Sequence, residues 1–419
     1  MHELAIKNGL CYLQGEFIRA NIGIDANKIT YVGKEEIEGE VKIDASKSLV
    51  LPGFFNAHTH LAMSLLRGYA EDMPLMEWLK KKIWRAERKL KARDVYWGSM
   101  LGILEMLKTG TTCFSDLYIH MDQVAKACLE SGIRAVLSYG MADREDPERG
   151  REEIKIGEEF IKKWGGGRIK AIFGPHAPYT CSLEFLKEVR AKADELGVEI
   201  HIHVSETKEE VEEFREKYAS KPIVKLEEIG FLSPKTIIAH GVWLDKEEME
   251  ILARRLVSVV HCPVSNLKLA SGIAKIVDMH RLGINLCLGT DGAASNNTYN
   301  LFEEIKLASL LQKVQMARAD ALHARDVIEM ATANGYKAYG INAGKIERGM
   351  LADLILLEKS FNYTPLYNPL YSIVYSSFGC EVTHTIVDGK LLVEERQPLT
   401  LDGEKILSKV EKIKEKFLN

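Results

Sequence analysis

Leu51-Pro52-Gly53-Phe54-Phe55-Asn56-Ala57-His58-Thr59-His60 is the stretch on which the reading of this chain turns. The apolar residues Leu49-Val50-Leu51 and Phe54-Phe55 read as a strand entering a buried sheet. His58 and His60 stand two apart, and in extended backbone that spacing puts both imidazoles on one side of the strand. Two ring nitrogens side by side at a strand end make half of a metal site. They make an ordinary surface pair equally well, so these residues alone leave both readings open.

The texture differs on the two sides of this stretch. Residues 1 to about 50 read as short β segments, with strand composition in Cys11-Tyr12-Leu13, Phe17-Ile18 and Ile29-Thr30-Tyr31-Val32. Gly15, Gly23 and Asp25-Ala26-Asn27 supply the turns. Such a piece is small for a core of its own and needs partners from elsewhere. Beyond His60 a strand-then-helix rhythm sets in. Strands are expected at 111–116, 133–138, 169–174, 198–204, 236–239, 257–260 and 284–288, with helical chain after each. The strand before His58 brings the count to eight, the signature of an α/β chain folded as a (β/α)8 TIM-type barrel. After about Tyr339 the β texture returns at 353–357 and 382–387, and Asp388-Gly389 forms a hairpin turn. The expected organisation is a small β-sandwich built from both chain ends, with 1–51 as its first part and 345–419 as its second part plus a C-terminal helix. Residues 52–344 form the barrel between them.

Composition excludes several classes. The formal net charge of the 419 residues is only -4, with no basic stripe to attract nucleic acid. No apolar stretch reaches membrane length, and Met1-His2-Glu3-Leu4 does not open a secretion signal. The seven cysteines are scattered and odd in number, which fits reduced thiols and a cytoplasmic location. No glycine-rich loop ends in Gly-Lys-Ser/Thr, so phosphate binding has no support.

In a barrel of this type active groups lie at the carboxyl ends of the strands. His203, His240 and His261 end the fifth, sixth and seventh expected strands, His176 follows the fourth, and Asp291 follows the eighth. Any one of them could be an ordinary hydrogen-bonded residue. As a set they would be costly to bury without something to converge on. His201 shares a strand face with His203 one layer deeper, as a ligand or as a support for the layer beneath. Glu206 lies three residues past His203, where a carboxylate can reach over a metal without binding it, or can simply face a helix N-terminus.

The chain resembles the amidohydrolase superfamily, and within it the S-adenosylhomocysteine, methylthioadenosine and 5'-deoxyadenosine deaminases. The segments that carry the likeness are Pro52 to His60, His203-Val204-Ser205-Glu206-Thr207, Ser265-Asn266-Leu267-Lys268-Leu269 and Gly289-Thr290-Asp291-Gly292-Ala293-Ala294-Ser295-Asn296-Asn297. Met76-Glu77-Trp78-Leu79 and Leu310-Leu311-Gln312-Lys313 add to it.

The resemblance implies a metal held by His58, His60, His203 and Asp291, with Glu206, His240 and Asp291 as the catalytic groups. It implies that Glu87, His176 and Arg151 hold the sugar and tail of a nucleoside, with Glu206 and Asp291 also meeting the substrate. The Arg151 match has a near competitor in Arg149. Some relatives carry an arginine where this chain has Tyr139, a departure that favours a smaller 5' substituent. The fourth strand ends Phe173-Gly174-Pro175-His176 without the lysine that bridges two metals in other barrel hydrolases. One divalent ion per subunit is therefore expected, zinc first, with iron or manganese as alternatives. The implied reaction is hydrolysis of the C6 amino group of an adenosine derivative, in a homo-oligomer with a small-molecule nucleoside as its partner. Guanine or pterin deamination and triazine dechlorination are the alternatives.

Overall fold

The computed structural model describes residues 1–417. Eight strands stand side by side in chain order: Phe54–Thr59, Thr111–Tyr118, Arg134–Met141, Ile169–Pro175, Ile200–Val204, Thr236–His240, Ser258–His261 and Asn285–Leu288. Every paired neighbour runs parallel. The helices between them begin at residues able to satisfy free backbone N–H groups. Ser182 accepts from Phe185 N–H ahead of Leu183–Leu196, Thr207 from Glu210 N–H ahead of Lys208–Tyr218, and Asp245 from Glu248 N–H ahead of Lys246–Arg254.

Side-chain and loop contacts close the barrel. Asn56 Nδ2 donates to Thr290 Oγ1 at 2.8 Å, and Thr290 N–H donates back to Asn56 Oδ1 at 3.0 Å. Asp291 N–H donates to the His58 carbonyl at 2.9 Å. The seam that joins the first strand to the eighth therefore also sets Asp291 beside His58.

The second sheet has nine strands drawn from both chain ends, His2–Leu13 through Ser48–Pro52 and Leu354–Glu358 through Gln397–Pro398. Its core mixes the two ends, with Ile6, Ile22 and Val50 packed with Leu354, Leu356 and Ile386. The C-terminal helix Gly403–Lys414 lies against the barrel helix Ala92–Lys108, where Lys416 Nζ meets Asp94 at 2.6 Å.

The apolar run before His58 departs from the expectation of one strand. Ser48–Pro52 pairs antiparallel with Leu354–Glu358 in the terminal sheet, and the barrel strand starts at Phe54. Gly53 makes the crossing. Its N–H donates to the Asp353 carbonyl at 2.9 Å, and a Cβ there would lie 2.0 Å from Thr112 Oγ1. Both halves are buried, so hydrophobic pattern alone cannot show the break.

Among the described residues no helix is long and apolar enough to cross a membrane. All seven cysteines are unpaired, and only Cys380 is exposed.

Candidate active site

The strand ends bring four of the expected groups together. His60 Nδ1 lies 2.5 Å from the Leu117 carbonyl, and His203 Nδ1 lies 2.7 Å from the His176 carbonyl. A carbonyl can only accept, so both Nδ1 atoms carry a proton and both Nε2 atoms are turned towards the site. Those two Nε2 atoms face each other at 3.3 Å. The His58 Nε2 atom is buried without a hydrogen-bond partner, 3.5 Å from Asp291 Oδ1, which also lies 3.2 Å from His60 Nε2. Burial pushes the His58 pKa down to about 4 and holds His203 well below the ordinary histidine value, so both are neutral at pH 7.

His58, His60 and His203 present ligand atoms within 4.8 Å of one another. Bare nitrogens that close repel unless a cation lies among them. Three imidazoles with one carboxylate are a donor set suited to a divalent ion. The residues present therefore fit the metal that the sequence implies.

Asp291 is fixed on its other side. Its Oδ2 accepts from Ser265 Oγ at 2.6 Å and Ser295 Oγ at 2.9 Å, leaving Oδ1 towards the imidazoles. His240 Nδ1 lies 2.9 Å from Asn266 Oδ1, which sets its Nε2 3.8 Å from Glu206 Oε2. Burial opposes charge on His240, but the Glu206 and Asp291 carboxylates outweigh it and raise its pKa. Burial, reinforced by Asp291, raises the pKa of Glu206 despite His240. Ser205, His240 and Asp291 all have positive φ, at 56°, 73° and 63°. Such backbone costs about 1–3 kcal/mol per residue and gathers at functional sites. Here the Glu210 carboxylate holds one of these bends, accepting from Ser205 N–H at 2.9 Å and Glu206 N–H at 2.7 Å.

A cavity of about 290 Å³ opens over these groups. Glu206, His240, Asp291, Glu87 and His176 all line it. Burial pushes the Glu87 carboxyl up, with the Tyr118 hydroxyl beside it working the other way. Arg151 departs from its expected place. It is exposed on the helix Pro147–Trp164 and does not line the cavity, whereas Arg149 does. Two residues along a helix are about 200° apart around its axis, so the two arginines point to different sides. His261 is buried at its strand end, with neither ring nitrogen hydrogen-bonded, and is not part of the cavity wall.

The amidohydrolase family model matches residues 49–392, a span that takes in the whole barrel sheet and every residue of this site. The chain belongs to the amidohydrolase family.

This amidohydrolase is 50% identical to 5-methylthioadenosine/S-adenosylhomocysteine deaminase 2 of Archaeoglobus fulgidus, over 98% of each chain. It is 47% identical to the 5'-deoxyadenosine deaminase of Methanosarcina acetivorans, over 97% of this chain and 96% of the other. Among solved structures it superposes on an adenosine deaminase from Xanthomonas campestris with bound zinc. That match has a TM-score of 0.96 at 31% identity, covering 99% of this chain and 98% of the other.

Several cavity residues escaped the sequence reading. Trp84, Arg144 and Glu153 line it, and Ser265 and Asn266 hold Asp291 and His240. Ser265 and Asn266 stood within a segment that carried the family likeness, but only the folded chain shows what each touches.

For this amidohydrolase, metal analysis of protein loaded with excess zinc should give one ion per chain. The only cluster of three possible ligands among the described residues is His58, His60 and His203. Two ions per chain would overturn that expectation.

Proposed function

We propose that this chain is a hydrolytic deaminase that replaces the C6 amino group of an adenosine derivative by oxygen, releasing ammonia. The observation that carries this reading is the convergence of Glu206, His240 and Asp291 on one cavity wall above the imidazole cluster. His58, His60, His203 and Asp291 would hold the divalent ion, zinc in our reading. A bound ion of this kind lowers the pKa of a water towards about 7, which makes it nucleophilic at neutral pH.

The chain's own groups do the rest. Asp291 accepts the proton that the water gives up. His240, its Nδ1 occupied by Asn266, presents Nε2 and orients the attacking oxygen. Attack at C6 breaks the ring conjugation and builds electron density on N1. Glu206, with its carboxyl pKa raised, delivers a proton there. The amino group leaves as ammonia once it has gained a proton from the Asp291 and Glu206 pair, and the new C6 hydroxyl gives its proton back to that pair as the C6 carbonyl forms.

Glu87, which lines the cavity, accepts two vicinal sugar hydroxyls in this reading. At the far end Tyr139 stands against Glu153, and Arg149 Nη2 lies 3.3 Å from Glu153 Oε1. A cation already paired is less available to a substrate carboxylate. This supports a small or apolar 5' substituent, as in 5'-deoxyadenosine or methylthioadenosine.

Ammonia release should be measured over adenosine, 5'-deoxyadenosine, methylthioadenosine, S-adenosylhomocysteine, guanine and a pterin, and chloride release over a chlorotriazine. Adenosine derivatives should dominate in kcat/KM, and a best substrate among the last three would overturn the assignment. A clear preference for S-adenosylhomocysteine would overturn only the tail reading and would give its carboxylate to Arg144, which also lines the cavity. In the same assay Glu87→Gln should lose at least about tenfold more kcat/KM on a riboside than on its 2'-deoxy analogue, the order expected for a charge-assisted hydrogen bond. Equal losses on both would remove Glu87 from the sugar site.

A further inference from the structure

His58 differs from the other two imidazoles in one respect. The Nδ1 atoms of His60 and His203 each face a backbone carbonyl, which dictates the tautomer. The His58 Nδ1 atom instead faces another imidazole, His201 Nε2, at 3.0 Å. Taken alone that contact leaves the proton on either ring.

The hydrogen bonds beyond His201 decide it. His201 Nδ1 lies 2.6 Å from the Tyr339 hydroxyl and 3.3 Å from Ser115 Oγ. The Tyr339 hydroxyl lies 3.2 Å from the Ala57 carbonyl and 2.9 Å from Ser115 Oγ. The Ala57 carbonyl can only accept. If Tyr339 gives its proton outwards to that carbonyl or to Ser115, its oxygen accepts from His201 Nδ1–H. His201 Nε2 is then bare and accepts from His58 Nδ1–H, and His58 Nε2 is left bare towards the site. The opposite ordering would put a proton on His58 Nε2, which makes no hydrogen bond and whose neighbouring acceptor, Asp291 Oδ1, stands at 3.5 Å, beyond ordinary hydrogen-bond length. Every member of the chain is buried, so water offers no alternative partner.

Tyr339 comes from outside the eight strands. It follows the helix Ala333–Ala338 and stacks on Phe55, ring centroids 5.4 Å apart, on the side of the barrel away from the cavity. We infer that His201 and Tyr339 are positioning residues, a buried hydrogen-bond chain that holds His58 in its metal-binding tautomer and orientation. The inference rests on the reading of His58 as a metal ligand. Outer partners of this kind, when removed, cost about 10- to 100-fold in metal affinity or activity.

The test is metal affinity, read by chelator competition on the full chain stripped of metal and titrated with zinc alone. Cobalt(II) serves as a second probe through its visible absorption. His201→Leu should weaken the zinc Kd by about 10- to 100-fold. His201→Gln, whose side-chain oxygen can accept from His58, should recover part of that loss. Tyr339→Phe, which removes one hydroxyl and keeps the ring packed on Phe55, should weaken binding in the same direction and shift the cobalt spectrum. A merely structural role would lower the melting temperature and leave Kd and spectrum alone. Unchanged Kd in folded Tyr339→Phe and His201→Leu protein would overturn the inference. His58→Ala separates the two readings. If it binds zinc as well as the parent, the metal-site reading itself fails. If it loses zinc while the other variants keep it, only the role of His201 and Tyr339 fails.

Discussion

Glu206→Gln is expected to lose at least about 10²-fold in kcat while retaining its metal and its nucleoside. Several observations converge on this. Glu206 is buried at the cavity wall but lies outside the ligand cluster, so its amide replacement removes a proton carrier and not a metal bond. His240 Nε2 lies 3.8 Å from its Oε2, and Ser271 Oγ donates to its Oε1 at 3.4 Å. Glutamine keeps the shape and can still accept from Ser271, so the pocket should not collapse. What it cannot do is give a proton to N1 as C6 is attacked. A loss of 10² corresponds to about 2.7 kcal/mol of barrier, within the reach of one general acid. Steady-state ammonia release with metal content measured on the same sample decides the matter. Near-full turnover would take Glu206 out of the mechanism. Loss of the metal would make it a ligand and would require a different ligand set.

How much of this was legible beforehand follows from how far each signal reaches. His58 and His60 were legible because period two in a strand is a local rule, and the repeated finish of apolar runs in His or Asp gave the other strand ends. The eight-strand count needed only the alternation of strand and helix. Gly53 was not legible as a boundary, because both strands it joins are buried on both faces and neither alternates. The choice between Arg149 and Arg151 depended on helix phase. Gly150, Gly157, Phe160 and Ile161 face inward on that helix, and Arg149 stands one turn before Glu153, on the cavity side. That phase could have been traced in the sequence, since Gly157, Phe160 and Ile161 recur at helical spacing. The partners of His201 and His240 could not. Tyr339 lies 138 residues from His201 and Asn266 lies 26 from His240, and no local pattern joins them.

Arg134→Met is expected to cost about 3–5 kcal/mol of stability, the second large effect. Arg134 opens the third barrel strand and is almost wholly buried. Its Nε donates to Asp353 Oδ2 at 2.7 Å and its Nη2 to Asp388 Oδ1 at 2.8 Å. Asp353 is 0% exposed at its side chain and accepts further from Asp388 N–H at 2.7 Å and Tyr336 Oη at 3.2 Å. Methionine fills the space but leaves the Asp353 charge buried without its cation, and that unpaired charge is the source of the cost. Asp388→Asn should cost less than about 1 kcal/mol, because Asp388 keeps 19% exposure and Arg134 keeps Asp353. Urea midpoints of the two variants should therefore fall far apart, and a loss below about 1 kcal/mol for Arg134→Met would show that the cluster relaxes or admits water. The position of the clamp gives it a consequence for the site. Asp353 also receives Gly53 N–H on its backbone carbonyl, five residues before His58. The contact that fastens the terminal sheet to the barrel thus also anchors the start of the strand that carries His58 and leads into His60, two members of the imidazole cluster. Zinc affinity of folded Arg134→Met protein should fall along with its stability. Unchanged affinity would show that the seam between Asn56 and Thr290 holds that strand end by itself.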